Sequence, residues 1–349
     1  MSKHPSIGVC GDFEWDHYEA MFCRSLRRNG YIVQEFRFPR KLPALLRKLI
    51  YKFPIFSYLL FLNHFFLLFI ILFSKLPVVF FWRPVILPPF FFRVLRFFEI
   101  TVVIYHNDDP QVSDASIFSR WYLFNKNVAV ADISLFYRDK TKDEYRALCH
   151  GKIGLLYPFV EGVRFSGSSN VLCLDHYPRG AFDLVFIGHY EEDGRLDLLT
   201  EVVRSGFTVR IYGSGWPQNY PDLGIHNASI YPVYGDSYLS ALRSGTFALC
   251  LLSKKNRDQY TRRCFEIPLS GVVMISERSD FLEEFFVEGT DVIFFDNLYR
   301  LPLVLEDYLT TGSDLLLNIS KGAYSKVINS QFEVDFLTKN FMQEFIIKK

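Results

Sequence analysis

The sequence predicts an α/β protein of two domains, each built on a parallel β-sheet. Its 349 residues exceed the length that a single hydrophobic core usually serves. Short apolar runs rich in β-branched and aromatic residues alternate with helical patterns in the first half, and the alternation restarts after residue 180. Strands separated by helices pair in parallel through right-handed crossovers, so each half should form its own layered sheet.

The first half opens as strand, glycine turn, helix and strand. The apolar run 7–10 ends at Gly11, a helical pattern follows, and Gly30 stops it before a strand over residues 31–38. Two more strands are predicted at "LPVVFFW" and "ITVVIYH", with a helix over residues 88–98 between them.

The second half contains six strand candidates, most of them separated by helical patterns. They are "FDLVFIGHY", "FTVRIYGSG", "SIYPVYG", "TFALCLLS", "GVVMIS" and "DVIFFD". Both halves are therefore predicted to be Rossmann-like. Ligands of such sheets bind beyond the carboxyl ends of the strands, so a cleft between the two domains is the expected site.

The predicted domain limits follow from these patterns. Residues 1–165 form the N-terminal domain, which includes an apolar helical insert at about 41–74, and residues 180–334 form the C-terminal domain. Residues 335–349 are predicted to be a helix, for which packing back on the N-terminal domain is one arrangement.

Composition limits the classes of function. The net charge is +1, from 39 basic and 38 acidic residues, which gives no signature of nucleic-acid binding. Six cysteines stand singly with no C-x-x-C pair, a pattern typical of reduced thiols in a cytosolic protein. The first residues lack the apolar core of a secretory signal. We therefore expect a cytoplasmic protein.

Residues 54–73, "PIFSYLLFLNHFFLLFIILF", are 20 residues without a formal charge, long enough to cross a bilayer. They lie between the second and third strands of one predicted sheet, so crossing would divide that sheet between two sides of a membrane. Two interpretations remain: a partly buried crossover helix, or a helix docked peripherally on the inner face of the membrane. The basic residues that flank it suit anionic lipid. They are Arg40, Lys41, Arg47, Lys48, Lys52 and Lys75.

The loop "GVCGDFEWDH" follows the first strand and leads into a helix. Such a turn directs backbone N–H groups and the positive end of a helix dipole toward a ligand. An ordinary turn with a helix N-cap is the alternative. The spacing is not G-x-G-x-x-G, which disfavours a nicotinamide cofactor. The candidate residues of this loop are Gly11, Asp12, Glu14 and His17.

"YHNDDP", residues 105–110, follows the strand "ITVVIYH". His106 and Asp109 stand at the carboxyl end of this strand, where they would face the cleft. They are two of the three candidate catalytic residues, and the third is Asp258. For one of the two aspartates, an Asx turn before Pro110 is the alternative. A metal site would need a second cluster of ligands at a recognised spacing, and the sequence shows none.

A second pair of carboxylates, Asp258 and Glu266, is separated by seven residues in "NRDQYTRRCFEIPLSG". Glu266 stands on a predicted helix before a glycine turn, where a carboxylate can accept two hydrogen bonds from a ribose diol. Basic residues nearby can offset a diphosphate, and a solvated face of mixed charge is the alternative. These residues are Arg195, Lys254, Lys255, Arg262 and Arg263.

The stretch "RDQYTRRCFEIPLSGVVMISERSDFLEEFF", followed by "VEGTDVIFFD", resembles the C-terminal domain of CgeB-like glycosyltransferases, which have the GT-B fold. Wider relatives carry two Glu separated by seven residues, then a helix, a glycine turn and a strand. "DLVFIGHYEEDGRLDLL" and "VRIYGSGWP" resemble the first two strands of that domain. "CGDFEWDHYEAM", "VVFFWRP" and "VVIYHNDDP" extend the resemblance to the N-terminal part.

The resemblance implies roles for individual residues. Glu266 takes the place of the Glu that binds the nucleotide ribose. Asp258 takes the place of the acidic residue near the donor sugar, and His106 takes the place of a His that contacts this sugar. The loop at Gly11 faces the acceptor. Relatives usually hold the diphosphate with an Arg and a Lys, but here those places fall near His189 and Gly194, so Arg195 is the substitute. The remaining donor-binding candidates are Gly188, Gly213, Tyr260 and Arg262.

The sequence is accordingly interpreted as a glycosyltransferase that moves a sugar from a nucleotide-diphosphate donor to a glycan, lipid-linked or protein acceptor. The pathway would be the synthesis of a surface polysaccharide or glycoconjugate. No metal or cofactor is expected, because a helix dipole and basic side chains can stabilise the leaving diphosphate. The alternatives are a non-catalytic partner subunit that binds nucleotide sugars, and a nucleotide-sugar epimerase on the same fold.

Overall fold

The structure is a computed structural model that describes residues 5–38, 42–110, 116–162, 171–217 and 230–347. The chain divides into two compact units. The first comprises residues 1–158 and 334–349, and the second comprises residues 159–333. The expected boundary at residue 165, the expected start of the insert at residue 41, and the flanking Arg40 and Lys41 lie outside the described residues.

A six-stranded parallel sheet forms the centre of the first unit, in the order β2-β1-β3-β4-β5-β6. The sequence predicted the first four strands. It missed the last two, because four-residue runs carry too little alternation to be told from loops. The strands are β1 (Ser6–Gly11), β2 (Ile32–Arg37), β3 (Val78–Trp82), β4 (Thr101–His106), β5 (Ile133–Phe136) and β6 (Lys152–Leu155).

Helices and short helical turns connect these strands. A turn at Asp16–Ala20 precedes the first helix, and a tight helical segment at Pro54–Leu60 precedes the third. All five residues of β3 are buried, as expected of a central strand covered on both faces. The helices are α1 (Met21–Arg28), α2 (Ala44–Lys52), α3 (Phe61–Phe73), α4 (Pro89–Phe97), α5 (Tyr122–Val128) and α6 (Asp139–Tyr145).

The second unit has a five-stranded parallel sheet in the order β11-β10-β9-β7-β8. Five of the six predicted segments form strands. The prediction for "SIYPVYG" is wrong over its described part, since residues 230–234 form no strand. Pro232 supplies no ladder donor, and Tyr231 and Tyr234 are half exposed. The strands are β7 (Phe182–Ile187), β8 (Val209–Tyr212), β9 (Gly245–Cys250), β10 (Val273–Glu277) and β11 (Ile293–Phe295).

Helices again connect the strands of the second unit. Gly271 has φ of 80° directly after the ninth helix, and this left-handed conformation lets the chain turn sharply into β10. The helices are α7 (Arg195–Arg204), α8 (Gly235–Arg243), α9 (Arg263–Ser270), α10 (Asp280–Phe285), α11 (Leu301–Leu309) and α12 (Ser313–Ile328).

The chain returns to the first unit through α13 (Val334–Phe341). This helix packs on α1, where the buried Ser25 hydroxyl donates to the carbonyl of Val334 at 2.9 Å. Arg28 forms an ion pair with Asp335 at 2.7 Å. Phe341 packs its ring against Phe22 and Phe80. The C-terminal segment therefore belongs to the core of the first unit.

Candidate active site

The loop after β1 is held by a charged pair at the carboxyl edge of the first sheet. Asp12 accepts from the Arg83 guanidinium at 3.0 Å, and Arg83 follows directly after β3. Asp12 also accepts from the backbone N–H of Glu14 at 3.1 Å, which closes an Asx turn. The structure thus joins Asp12, after β1, to Arg83, after the adjacent strand β3, and holds Glu14 in the same loop as Asp12.

Glu14 and His17 complete this loop. The Glu14 carboxylate lies 3.8 Å from the guanidinium of Arg47 on α2. The His17 ring packs edge-on against Tyr18, with ring centroids 4.4 Å apart. All four candidates of the loop, including Gly11 at its start, therefore lie within one connection between β1 and α1.

Beneath this loop lies Glu19, a carboxyl that the sequence analysis did not single out. Its side chain is fully buried, and neither oxygen has a hydrogen-bond partner among the described residues. Burial, and then the charge of Asp12, raise its pKa to about 7, although Arg83 and the backbone N–H groups of Glu19 and Phe13 oppose the shift. These N–H groups lie nearby without reaching hydrogen-bond geometry. A charged residue near a helix start is normally read as exposed, which is why the sequence did not reveal it.

Gly11 is required by this buried carboxyl. A Cβ at position 11 would lie 2.6 Å from Oε1 of Glu19, closer than any real contact of that kind. The glycine in "GVCGDF" therefore makes room for Glu19, and the two residues form the floor of the loop.

His106 is fully buried at the end of β4. Its ring packs edge-on against Trp121 and Phe124, with centroids 4.8 and 5.2 Å away. Nδ1 accepts a hydrogen bond from the backbone N–H of Asp108 at 3.0 Å. Burial lowers the pKa of His106 to about 3, so the ring is neutral at physiological pH. This environment favours a structural role in shaping the loop over contact with a sugar.

Asp109 is also buried, and it accepts from the Thr141 hydroxyl at 2.6 Å. Asp108 instead pairs with Arg120 at 3.2 Å near the surface. The two aspartates of "YHNDDP" thus take different positions: one secures α6 to the sheet edge, and the other faces solvent.

We predict that His106→Phe lowers the free energy of unfolding by about 1–3 kcal/mol, because the ring volume is kept while the backbone N–H of Asp108 loses its buried acceptor. Urea denaturation measures this loss. Unchanged stability together with a large loss of turnover would show instead that the imidazole acts on a substrate.

In the second unit, Arg195 organises the loop after β7. The side chain is 5% exposed. Its Nε donates to Asp193 at 2.7 Å, and its Nη1 donates to the carbonyl of His189 at 2.6 Å. The guanidinium also lies 3.5 Å from the carboxylate of Glu191. The hydrogen bonds of the guanidinium therefore go to groups of its own loop. In this arrangement it can act on a diphosphate only indirectly, through the backbone that it fixes.

Gly188 and Gly213 meet at the ends of β7 and β8. A Cβ on Gly213 would lie 1.9 Å from the carbonyl oxygen of Gly188, and Gly213 has φ of 147°, so only glycine fits. The same carbonyl accepts from the indole N–H of Trp216 at 2.9 Å. These two predicted donor-binding residues therefore form one backbone junction at the carboxyl edge of the sheet.

Polar contacts join the loops after β7, β9 and β10. The Ser253 hydroxyl contacts the Glu191 carboxylate at 2.7 Å, and the Lys254 ammonium donates to the carbonyl of Asp193 at 2.9 Å. The backbone N–H of Leu252 donates to Glu277 at 2.7 Å. Burial raises the pKa of Glu277. Sequence reasoning missed Glu191, Asp193 and Glu277, although Glu277 stands visibly at the end of a predicted strand.

Glu266 is a buried carboxylate in the first turn of α9. It contacts the guanidinium of Arg262, one turn earlier, and accepts from the Tyr238 hydroxyl at 2.9 Å. Burial, and then the Glu266 charge, hold the pKa of Tyr238 far above its usual value, so this phenol stays a donor. Glu266 is therefore held in position by Arg262 and Tyr238 without any ligand.

Asp258 and Tyr260 lie on the connection from β9 to α9. The backbone N–H of Asp258 donates to the carbonyl of Ser253 at 3.0 Å, and the Tyr260 ring packs on Phe281 at 4.2 Å between centroids. Because β9 ends and α9 begins at the carboxyl edge of the sheet, Asp258 and Glu266 share that edge. Within the described part of the chain, no three His, Cys, Asp or Glu side chains converge as metal ligands.

Comparison with protein families identifies the second unit. Residues 195–335 match the family model described as "Glycosyl transferase-like". The matched stretch makes up most of the second unit, which is therefore similar to this family. The match covers α7 to the start of α13 and therefore includes Arg195, Asp258 and Glu266. A search of the curated proteins finds no match.

Solved structures of the same architecture extend over the whole chain. Sucrose-phosphate synthase from Thermosynechococcus elongatus has a TM-score of 0.63 at 11% identity, covering 97% of this chain and 98% of that chain. Trehalose 6-phosphate synthase from Burkholderia multivorans has a TM-score of 0.61 at 12% identity, and the alignment covers 98% of this chain and 96% of that chain. HepE from Anabaena, in complex with UDP-glucose, has a TM-score of 0.58 at 11% identity, and the alignment covers 97% of this chain and 99% of that chain.

These likenesses confirm the predicted fold: both units are parallel-sheet α/β domains of the GT-B type. The chain thus combines a glycosyl transferase-like family match over residues 195–335 with the fold of solved glycosyltransferases. The more specific CgeB-like resemblance stays a prediction.

Proposed function

We propose that the chain transfers a sugar from a nucleotide-diphosphate donor to a glycan, lipid-linked or protein acceptor. The observation that carries this proposal is Glu266, a buried carboxylate in the first turn of α9 that contacts the Arg262 guanidinium and accepts from the Tyr238 hydroxyl. Its two oxygens are suited to accept from the two hydroxyls of a ribose. HepE, which has the same fold, was crystallised with UDP-glucose, in support of a donor of this class.

The diphosphate would lie near the N-terminus of α9 and the loop after β9. Lys254 and Lys255 are exposed there, and the helix dipole places partial positive charge at the same end. These groups can stabilise the negative charge that develops on the leaving nucleoside diphosphate. Asp258, on the same connection, would accept from hydroxyls of the donor sugar.

The acceptor would bind at the loop 11–17 of the first unit. Asp12, oriented by Arg83, and Glu14 offer carboxylate oxygens that can accept from an acceptor hydroxyl. The CgeB-like resemblance, a cytoplasmic location and a role in surface polysaccharide or glycoconjugate synthesis belong to this same proposal.

A panel of UDP-, GDP-, ADP- and dTDP-sugars tests the function. Calorimetry is expected to identify one donor class that binds, and this donor should release its nucleoside diphosphate with transfer of the sugar once an acceptor is supplied. Binding without release would support a non-catalytic partner subunit. Conversion of the bound sugar into its epimer would support an epimerase. Failure of every donor to bind would refute the proposal.

A further inference from the structure

Helix α3 and the segment before it expose a continuous apolar surface. Leu62 is 81% exposed, Phe73 is 69% and Phe69 is 58%. We call the surface formed by Leu59, Leu62, Phe65, Phe66, Phe69 and Phe73 the outer face. Solvent-exposed apolar surface of this extent normally marks a contact with another phase or molecule.

The other side of α3 packs on its own unit. Leu67, Leu68 and Ile71 are buried in the core, and His64 is buried against the ring of Phe38, with centroids 5.5 Å apart. His64, one of the two polar residues at the centre of the apolar stretch, thus faces inward. Plain burial of the helix, one of the two interpretations left open by the sequence, explains this inner side but not the outer face.

The fold disfavours crossing of a membrane. Residues 54–73 are long and apolar enough to span by composition alone, with a mean hydropathy of 2.3. However, β2 and β3 both pair in parallel with β1, one on each side, so the chain enters and leaves this segment at one sheet. The regular helix α3 has 13 residues and is about 20 Å long, shorter than the roughly 30 Å hydrocarbon core.

The segment that carries the outer face is rich in basic residues. From residue 36 to residue 98 the sequence contains ten Lys or Arg and no Asp or Glu, although the whole chain has a net charge of +1. Arg47, Arg83 and Arg96 form ion pairs with carboxylates outside this segment. The exposed Lys48, Lys52 and Lys75 are therefore the cations most available to an anionic surface. On α2, Leu45 and Leu49 are exposed beside the exposed Lys48 and Lys52, at helical spacings of three and four residues. An exposed helix face that mixes Leu with Lys is typical of the boundary between lipid headgroups and acyl chains.

We propose that the outer face docks on an anionic lipid surface, with α2 lying along the headgroups. The apolar side chains would enter the acyl boundary, and the acid-free region would be attracted to the negative surface. Because Glu14 of the acceptor-side loop approaches Arg47 on α2, this loop lies next to the docked surface within the same unit. Resting on the proposed function, this placement indicates an acceptor that the membrane itself holds.

Vesicle sedimentation of the purified full chain tests the docking. Wild-type protein should sediment with phosphatidylcholine–phosphatidylglycerol vesicles at low salt, and should stay in the supernatant with pure phosphatidylcholine. The charge variant Lys48→Glu/Lys52→Glu/Lys75→Glu should bind about a hundredfold more weakly, since each basic residue contributes roughly a fivefold factor. The apolar variant Leu62→Gln/Phe69→Gln/Phe73→Gln should also lose binding. All six side chains are exposed, so both variants should fold.

Matched controls change the same residue types elsewhere. Lys140→Glu on α6 and Leu303→Gln on α11 replace exposed residues of other elements, and both should bind like the wild type. Equal binding of all variants, or no binding to anionic vesicles, would overturn the proposal. So would binding that resists high salt and carbonate, which indicates insertion, or a stable dimer that the apolar variant disrupts. The assay uses no nucleotide sugar, so its failure is distinguishable from failure of the proposed function.

Discussion

Replacing Glu266 by Gln should weaken binding of the nucleotide sugar about ten- to a hundredfold. The change keeps the volume of the side chain but removes the charge that strengthens its hydrogen bonds, and hydrogen bonds to a charged group are worth about 1.5–3 kcal/mol. The amide of Gln can still accept from Tyr238, so this phenol keeps a partner. Calorimetry with the donor identified in the panel measures the change in Kd.

The Glu266→Gln experiment needs two controls. Glu284→Gln changes the same residue type at an exposed position of α10 and should leave the Kd unchanged. The partly buried Arg262 loses its counter-charge in the Glu266→Gln protein, which should cost some stability. Thermal denaturation should show that this protein nevertheless still unfolds cooperatively. A folded Glu266→Gln protein with the wild-type Kd would remove Glu266 from the donor site.

The second large effect concerns the pH dependence of stability through Glu19. Its pKa is about 7 in the folded state against an ordinary value of 4.5. Between these two values the unfolded chain ionises Glu19 while the folded chain keeps the proton, so folding loses stability as the pH rises. A shift of this size corresponds to about 3 kcal/mol, lost between pH 4.5 and pH 7 and constant above that range.

Glu19→Gln isolates this contribution, because Gln has a similar volume and never ionises. The free energy of unfolding of the wild type, relative to the variant, should fall by about 3 kcal/mol from pH 4.5 to pH 7. Tryptophan fluorescence in urea can follow the transition, since Trp15, Trp82 and Trp121 of the four tryptophans belong to the first unit. As a control, Glu14→Gln alters an exposed carboxylate of the same loop. Parallel stability curves for wild type and Glu19→Gln would contradict the assigned pKa.

The fold could be predicted from the sequence wherever strands were long and apolar. β3 and β4 were visible because five or six consecutive β-prone residues leave no other interpretation. β5 and β6 have four residues each and were not visible. The wrong strand at "SIYPVYG" shows that aromatic content alone is insufficient when a proline interrupts the run and the tyrosines face solvent.

Only part of the candidate site could be predicted from the sequence. Glu266 and Asp12 could be placed, because a carboxylate after a strand or at a helix start has a limited set of positions. The hydrogen bond from Arg195 to Asp193 could not be predicted, since the partner of a side chain depends on how the loop folds back. Glu19 shows the same limit: its buried carboxyl occupies the space that a side chain at Gly11, eight positions earlier, would need.

The pairing of β2 and β3 on either side of β1 has a consequence for how such a protein can diversify. Two strands that flank a third lie about 10 Å apart, so the ends of the intervening segment are fixed by the sheet whatever the segment contains. The region between them can therefore lengthen, shorten or exchange its surface chemistry while the strand register stays unchanged. In this chain that region carries α2 and α3. A helix that keeps the buried inner side of α3 but has a polar outer side could replace it between the same two strands without redesigning the sheet.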